Sequence, residues 1–482
     1  MKSTAHRPEL RDTEPVATLV RRVRGELTDA FDAGRPLRVS RAPGRLDVMG
    51  GIADYTGSTV CEMPLRESAA VALQRRADRT VRIFSLNLLD EHKPGEVQLP
   101  LDMLRGRSTD ELRPELTSDR KHKWAAYVAG CLVALDFRHQ VIERITGGFN
   151  IAVYSTVPAG AGVSSSAAVE VATMAALADE LGVEMSPLEL AERCQWAENH
   201  VVGAPCGIMD QVTSAMGQEG KLLRMLCQPH EVLPAVELPD GIRVIGINSN
   251  VKHEVGGGAY GRTRCAAFMG HRIILETMRQ MGAAKGMEMT GDPMRGYLAN
   301  LDPDHYKALF RPAVPESISG REFLGKYGQT GDSVTKVEED LEYQPRHATD
   351  HHVLEARRVR RFVEFLEAAA KLPVSQRKLD LDRAGHLMYA SHQSYGMDAM
   401  LGAPECDLLV DLVRKREAAG LYGARITGGG SGGTVAVLAD VGDRADQAIE
   451  EIVQEYGERT GRKAHLFTGS GPGACETGSQ LV

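Results

Sequence analysis

The chain has 482 residues, 43% apolar and 25% charged, with 57 Lys and Arg against 65 Asp and Glu. This composition excludes global disorder, and the net charge of −8 argues against a dedicated nucleic-acid binder. The length is that of two or three domains at roughly 100–200 residues each, and no run approaches about 18 consecutive apolar residues, so no membrane-spanning helix is expected.

The first fifteen residues are charged and lack the apolar core of a secretory signal, which favours a cytoplasmic location. A helix is predicted from Val16, where Leu19, Val20, Val23 and Leu27 recur near helical spacing and Gly34 marks a stop. The strand LRVSRA begins at Leu37 and is expected to run into a turn at Pro43-Gly44. Further strands are predicted over 59–75 and 79–87. A buried helix follows from Trp124, then a strand ending at Pro158 and a helix from Ala167. Another helix starts with Ser186 as its cap and Pro187 in its first turn.

The strand at 243–251 begins a second domain, which divides the chain into 1–240 and 241–482. Residues 285–350 are turn-rich and read as an insertion or lid. Helices are predicted over 351–371 and 378–393. A glycine loop then feeds a buried strand ending at Asp440, and a last helix and strand close the chain. Strands and helices mix without strict βαβ alternation, which points to an α+β fold.

Several features carry plain readings. The eight cysteines are scattered without a CxxC pair, so reduced, mostly buried thiols are expected. Cys206 reads as a small packed residue and not a nucleophile, with no base in its vicinity. The run RRVRR at 357–361 reads as a solvated helix face. His351-His352 beside Asp350 reads as a surface pair and not a metal site, for lack of ligand spacing.

Glycine is enriched, at 50 residues, and much of the excess falls in clusters. One is VPAGAGVSSSAAVEVA at 157–172. Gly160 and Gly162 permit positive φ, and Ser164, Ser165 and Ser166 stand where a helix begins. Their hydroxyls and the unpaired amides of the first turn form an anion site. The plainer reading is a Ser-capped helix after a glycine turn. GxxxxGK[ST] is absent, which excludes the P-loop class, and the pattern fits a dinucleotide fold poorly.

PAGAGVSSSAA, headed by Pro158, resembles the nucleotide-phosphate loop of the GHMP kinase family. RAPGRLDVMGGIADYTG at 41–57 resembles the sugar motif of that family's galactokinases, and ITGGGSGGTVAVL at 426–438 resembles their C-terminal glycine motif. AENHVVGAPCGIMDQVTSAMGQEG at 197–220, NSNVKHEVGGGAY at 248–260 and WAAY at 124–127 are similar to further galactokinase segments. The resemblance implies a two-domain GHMP kinase fold, with the active site in the interdomain cleft. It also implies ATP and Mg2+ as cofactors, and transfer of the γ-phosphoryl group to the anomeric hydroxyl of a pyranose.

Residue by residue, the resemblance assigns Asp210 to the group facing O1 and Arg45 to charge stabilisation. Gly51, Ile52, Asp54, Gly207, Tyr260 and Gly429 fall on the sugar. Trp124 and Tyr127 fall on the adenine pocket. Pro158, Gly160, Gly162 and Ser164 to Ser166 fall on the phosphates. Mg2+ falls to Glu198 and Ser166, the latter preferred over Ser165. Without the resemblance, Asp210 reads as a capping residue and Glu198 as part of a solvated helix face.

One block departs from the galactokinases. They carry Gly-Glu-His-Thr-Asp-Tyr where this chain has Gly50-Gly51-Ile52-Ala53-Asp54-Tyr55. There the Glu reaches the exocyclic O6, so its loss suits L-arabinose, which is D-galactose without carbon 6. Restoring Glu and His is expected to favour galactose. Ser431 replaces an aromatic residue, which implies a different pocket wall.

The 41–58 block, GYLANLDPDHYKALF, VPESISG, KYGQTGDSVT and GSGPGA also resemble the kinase half of plant L-arabinokinases. Their extra N-terminal, glycosyltransferase-like half has no counterpart in this sequence. The expected partners are a small sugar and ATP, with no nucleic acid or membrane, in a monomer or weak homo-oligomer. The alternatives are a galactokinase or other galacto-configured sugar 1-kinase and, more remotely, a non-catalytic sugar sensor.

Overall fold

The computed structural model describes residues 9–252 and 258–482. Residues 1–8 of the N-terminal segment and 253–257 of the 248–260 stretch lie outside the described residues.

Two sheets frame the molecule. The first contains β1 (Arg38–Met49), β2 (Thr59–Arg75), β3 (Thr80–Ser85), β4 (Glu96–Pro100), β5 (Phe149–Ser155), β6 (Lys221–Leu226) and β7 (Glu231–Glu237). The second contains β8 (Ile242–Asn248) and, after a two-stranded β9 (Ile318–Ser319) and β10 (Glu342–Tyr343), also β11 (Leu421–Ile426), β12 (Thr434–Asp440) and β13 (His465–Phe467). The last strand, β14 (Gln480–Leu481), returns to the first sheet beside β1. The first sheet has the order β14-β1-β2-β5-β3-β4, with β6 on β2 and β7 on β6. In it β3 and β5 pair in parallel and every other pair is antiparallel. The second has the order β11-β12-β8-β13. Helices and mixed sheets make this an α+β fold.

The helices Ala125–His139 and Ser165–Leu181 are buried on nearly every face. Their sequences are correspondingly apolar all round, the pattern of a helix enclosed in a core. They pack with Val71, Leu73, Ile83 and Ile151 of the first sheet.

The expected turn at Pro43-Gly44 is not a turn. β1 runs straight through it, with a register shift against β2 between Pro43 and Arg45. Proline has no N–H for the ladder, and an irregularity in pairing is where a strand tolerates it. Ser214 Oγ donates to the Pro43 carbonyl at 2.7 Å. At Gly44 a Cβ would stand 2.7 Å from the Val163 carbonyl oxygen, so the Gly-Ser loop packs directly on this backbone.

Residues 285–350 form a packed body. Tyr306, Phe310, Phe323 and Tyr343 share a core with Cys265, Met269 and Ile273 of the helix Gly258–Ala283. The next helix, Pro345–Ala370, starts six residues before the predicted position and packs against both Gly258–Ala283 and Lys378–Met397.

That packing overturns the surface reading of His351-His352, since both are fully buried. His352 contacts Thr56 Oγ1 through Nδ1 (3.0 Å) and Tyr55 OH through Nε2 (3.1 Å), while His351 Nδ1 meets Ser394 Oγ at 3.0 Å. Burial pushes His351 down to about 3 and His352 well below the usual imidazole range. Among the described residues, no group of three His, Cys, Asp or Glu side chains is placed to hold a metal. No described helix is long and apolar enough to cross a membrane. All eight cysteines are free, and six are buried.

Candidate active site

Three glycine-bearing segments, far apart in sequence, meet at one place. The loop between β5 and the helix Ser165–Leu181 is held from two sides. The Arg45 amide of β1 donates to the Val163 carbonyl (3.1 Å), and Thr434 Oγ1 of β12 donates to the Ala161 carbonyl (2.8 Å). Gly433 needs to be glycine here, because a Cβ would lie 2.7 Å from the Ala161 oxygen. The 427–433 loop is anchored in turn by Tyr395, whose hydroxyl donates to the Gly428 carbonyl at 2.5 Å.

Asp210 sits in the first turn of the helix Met209–Met216. Arg45 donates to its Oδ1 from Nε (2.9 Å) and Nη2 (2.6 Å), and from Nη1 to the Gly162 carbonyl (2.9 Å). The pair is asymmetric in exposure. Arg45 is buried, whereas the Asp210 side chain is 21% exposed. Behind Arg45, Glu62 of β2 brings Oε2 to 3.2 Å from Nε and is wholly buried. Burial works against the Arg45 charge, but the carboxylates of Asp210, Glu62 and Asp47 outweigh it. Burial pushes Glu62 well above the usual carboxylate range, with Asp47 adding to the effect.

Asp54 opens a short turn, Asp54–Thr56, and accepts from the Tyr55 amide at 2.8 Å and the Met209 amide at 3.5 Å. Its carboxylate packs on Gly207, where a Cβ would come within 1.6 Å of Oδ2. Burial, reinforced by the Asp210 charge, pushes Asp54 up to about 6. The amides and Arg264 oppose that rise.

Glu198 does not lie on a solvated helix face. The helix Pro187–Trp196 passes into a π-helical turn, Ala197–Val202, which is a local distortion frequent at functional sites. Glu198 is thereby buried. Gln211 Nε2 donates to Glu198 Oε2 (2.6 Å) and to Glu170 Oε2 (3.2 Å), and the Ser166 hydroxyl bonds Glu198 as well. Burial and the Asp210 charge push Glu198 up to about 7. Ser164 adopts φ +59°, and its buried Oγ has no hydrogen-bond partner. An unsatisfied hydroxyl, Ser166 and a proton-hungry carboxylate form an all-oxygen set suited to a hard cation with phosphate oxygens.

One cavity brings together Arg45, Ile52, Asp54, Gly160, Gly162, Ser164, Ser165, Ser166, Glu198, Gly207, Asp210, Tyr260 and Gly429. Cys206 lines it too, with Sγ 3.4 Å from Glu198 Oε2. Gly51, Pro158, Trp124 and Tyr127 are not among the lining residues. Trp124 Nε1 donates to the Pro94 carbonyl at 3.2 Å, and both aromatic residues pack against the first core.

Gly51 is the surprise. A Cβ there would stand 2.2 Å from Asp47 Oδ2, 2.4 Å from Tyr395 OH and 2.7 Å from Arg425 Nη2, all interior. A glutamate at 51 would therefore have to displace these interior groups before it could reach a sugar. Ile52 is the position of the pair that faces the cavity, at φ +48°.

Sequence reasoning alone misses Glu62, Glu170 and Gln211. A signal existed for the first two, since each is a lone acid within an apolar run, VCEMPL and AAVEVATMAALA.

A helix N-terminus flanked by Ser164 to Ser166 shares one cavity with a carboxylate gripped by a buried arginine, a combination that phosphoryl transfer can use. Residues 126–218 match the GHMP kinases N terminal domain, and residues 365–459 match the GHMP kinases C terminal domain. The chain is 37% identical to the L-arabinokinase of Arabidopsis thaliana over 97% of its own length, and spans about half (48%) of that relative. It is 30% identical to the galactokinase of Chloroflexus aggregans, covering 89% of this chain and 90% of that one. The solved Lactococcus lactis galactokinase complexed with galactose matches in fold, with a TM-score of 0.71 at 21% identity over 96% of this chain and all of the other. The Methanococcus jannaschii mevalonate kinase matches with a TM-score of 0.52 at 14% identity, over 91% and 99%. The chain belongs to the GHMP kinase family, and it is similar along most of its length to sugar kinases of that family.

Proposed function

We propose that the chain is an ATP-dependent sugar 1-kinase that converts L-arabinose to L-arabinose 1-phosphate, in a cleft between domains divided near residue 240. The observation that carries the choice of sugar is Ile52, an apolar side chain on the cavity wall beside Asp54. A hydroxymethyl group held against that wall would bury O6 without a partner. Such a loss costs about 1–3 kcal/mol, or roughly 5- to 150-fold in kcat/KM. L-Arabinose lacks that group. The similarity to the Arabidopsis L-arabinokinase supports the same reading. D-Galactose is the second reading, favoured by the galactokinase similarity over nine-tenths of both chains.

In this account the loop from Gly160 to Ser166 and the helix that follows it hold the β- and γ-phosphates of ATP. Ser166 and Glu198 would hold Mg2+, which supplies charge neutralisation between those phosphates when bound. Trp124 and Tyr127, beyond the phosphate cavity, are proposed for the adenine end. Asp54 accepts hydrogen bonds from ring hydroxyls. Asp210 faces O1 and takes its proton as the O1–P bond forms. The bond from the γ-phosphorus to the bridging oxygen breaks, and its electron pair leaves with ADP. Arg45 fixes the Asp210 carboxylate and screens the charge that develops.

Phosphorus NMR of the product tests this reading. An L-arabinose ester coupled to the anomeric proton is expected. Phosphate on another hydroxyl, or no ADP from any aldose, would refute it.

A further inference from the structure

Among the contacts between the 285–350 insertion and the sugar side of the site is one buried ion pair, Arg264–Asp332. Arg264, on the helix Gly258–Ala283, is buried. Its Nε and Nη2 donate to Asp332 Oδ2 (2.9 Å) and Oδ1 (2.8 Å), a two-pronged contact with the insertion. Its Nη1 donates to the Cys206 carbonyl at 3.2 Å. Its guanidinium also lies 4.9 Å over the Tyr55 ring.

These contacts converge on the sugar-facing turn. Cys206 precedes Gly207, on which the Asp54 carboxylate packs, and Tyr55 follows Asp54. On its other side Asp332 accepts from Thr335 Oγ1 (2.6 Å), the Thr335 amide (3.0 Å) and the Val334 amide (3.2 Å). The insertion therefore presents a carboxylate already fixed in place. Buried ion pairs often contribute little net stability, so orientation is the better account of this one.

We propose that Arg264 and Asp332 are positioning residues through which the insertion holds the Asp54–Gly207 floor and tunes the charge environment of the sugar-binding carboxylate. The inference rests on the reading of Asp54 as a sugar ligand. The groups that act on Asp54 directly are Asp210 and Arg264, with the Tyr55 and Tyr260 phenols, the Cys227 thiol and the Tyr55 and Met209 amides beside it, while Arg45, Glu192, Arg193, Glu198, His200, Cys206 and His230 line the same cavities. Arg264 is a cation that favours the ionised Asp54 carboxylate, and Asp332 neutralises it.

Opposite ends of the pair therefore have opposite effects. Removing the Arg264 charge makes Asp54 harder to ionise. Removing the Asp332 charge leaves Arg264 less neutralised, and Asp54 ionises more easily.

The test is the pH dependence of sugar KM in the full-length wild type, Arg264→Gln and Asp332→Asn, with thermal unfolding run alongside. KM rises on the acid side as Asp54 takes a proton. Arg264→Gln should move that limb to higher pH and Asp332→Asn to lower pH, each by about half a unit or more. If both variants lose activity with the limb unmoved, or moved in the same direction, the pair is only structural and the inference fails. Should Arg264→Gln not fold, the direction for Asp332→Asn decides alone. A wild type without sugar-dependent ADP release would refute the kinase reading itself, a separate outcome.

Discussion

Replacing Gly51 by alanine adds one methyl group at a crowded point beside the site. The methyl carbon would overlap Asp47 Oδ2, the Tyr395 hydroxyl and Arg425 Nη2 at 2.2, 2.4 and 2.7 Å. None of the three is the loose end of a surface chain. Asp47 and Arg425 form an ion pair at 2.8 Å with both side chains fully buried. Arg425 also donates to the Asp47 carbonyl, and the Gly428 amide donates to Asp47 Oδ2. The backbone at 51 is not in the left-handed region, so the obstacle is packing alone. Overpacking a core by a methyl group costs about 1–3 kcal/mol, and parting a buried ion pair costs about 3–5 kcal/mol. The expected loss for Gly51→Ala lies between these, at about 2–4 kcal/mol. Urea unfolding of wild type and variant measures it, read as a lower midpoint at unchanged slope. A difference within about 0.5 kcal/mol, the range of an ordinary surface change, would refute the reasoning. Position 51 would then be open to a longer side chain after all.

Ile52→His is the cleaner probe of sugar choice, because residue 52 faces the cavity and histidine tolerates its positive φ better than isoleucine. The ratio of kcat/KM for D-galactose over L-arabinose should rise, and an unchanged or lower ratio counts against the O6 argument. Asp210→Asn should lower kcat by about 100- to 10,000-fold while ATP affinity, followed by fluorescence titration, stays within about 2-fold of the wild type. Full activity would remove Asp210 from its role. Sugar KM should rise as pH falls through about 6, where the Asp54 carboxylate takes up a proton, and Asp54→Asn should flatten that limb. A KM independent of pH between 5 and 7 in the wild type contradicts the assignment. Glu198→Gln should raise the Mg2+ concentration needed for half-maximal rate, and an unchanged requirement argues that Glu198 is not a ligand.

Several residues of the candidate cavity were legible because each segment that carries them is local. A glycine loop, a serine run and a helix start are adjacent in sequence, and so are the residues of the 41–57 block. Pro43-Gly44 misled for the same reason. Proline and glycine together signal a turn locally, but β2 on one side and the Gly-Ser loop on the other hold this segment extended. His351 and His352 look like surface residues until the helix that carries them is placed between two others. The burial of Glu198 depends on the π-helical turn, which no spacing rule announces. The Arg264–Asp332 pair joins positions 68 residues apart, a contact that only the packed insertion creates.

The most direct test of the central claim is ADP release with Mg-ATP across L-arabinose, D-galactose, D-galacturonate, D-glucuronate and no sugar. The highest kcat/KM is expected for L-arabinose. A higher value for D-galactose would contradict it, and would mean that a residue other than those at 51 and 52 satisfies O6.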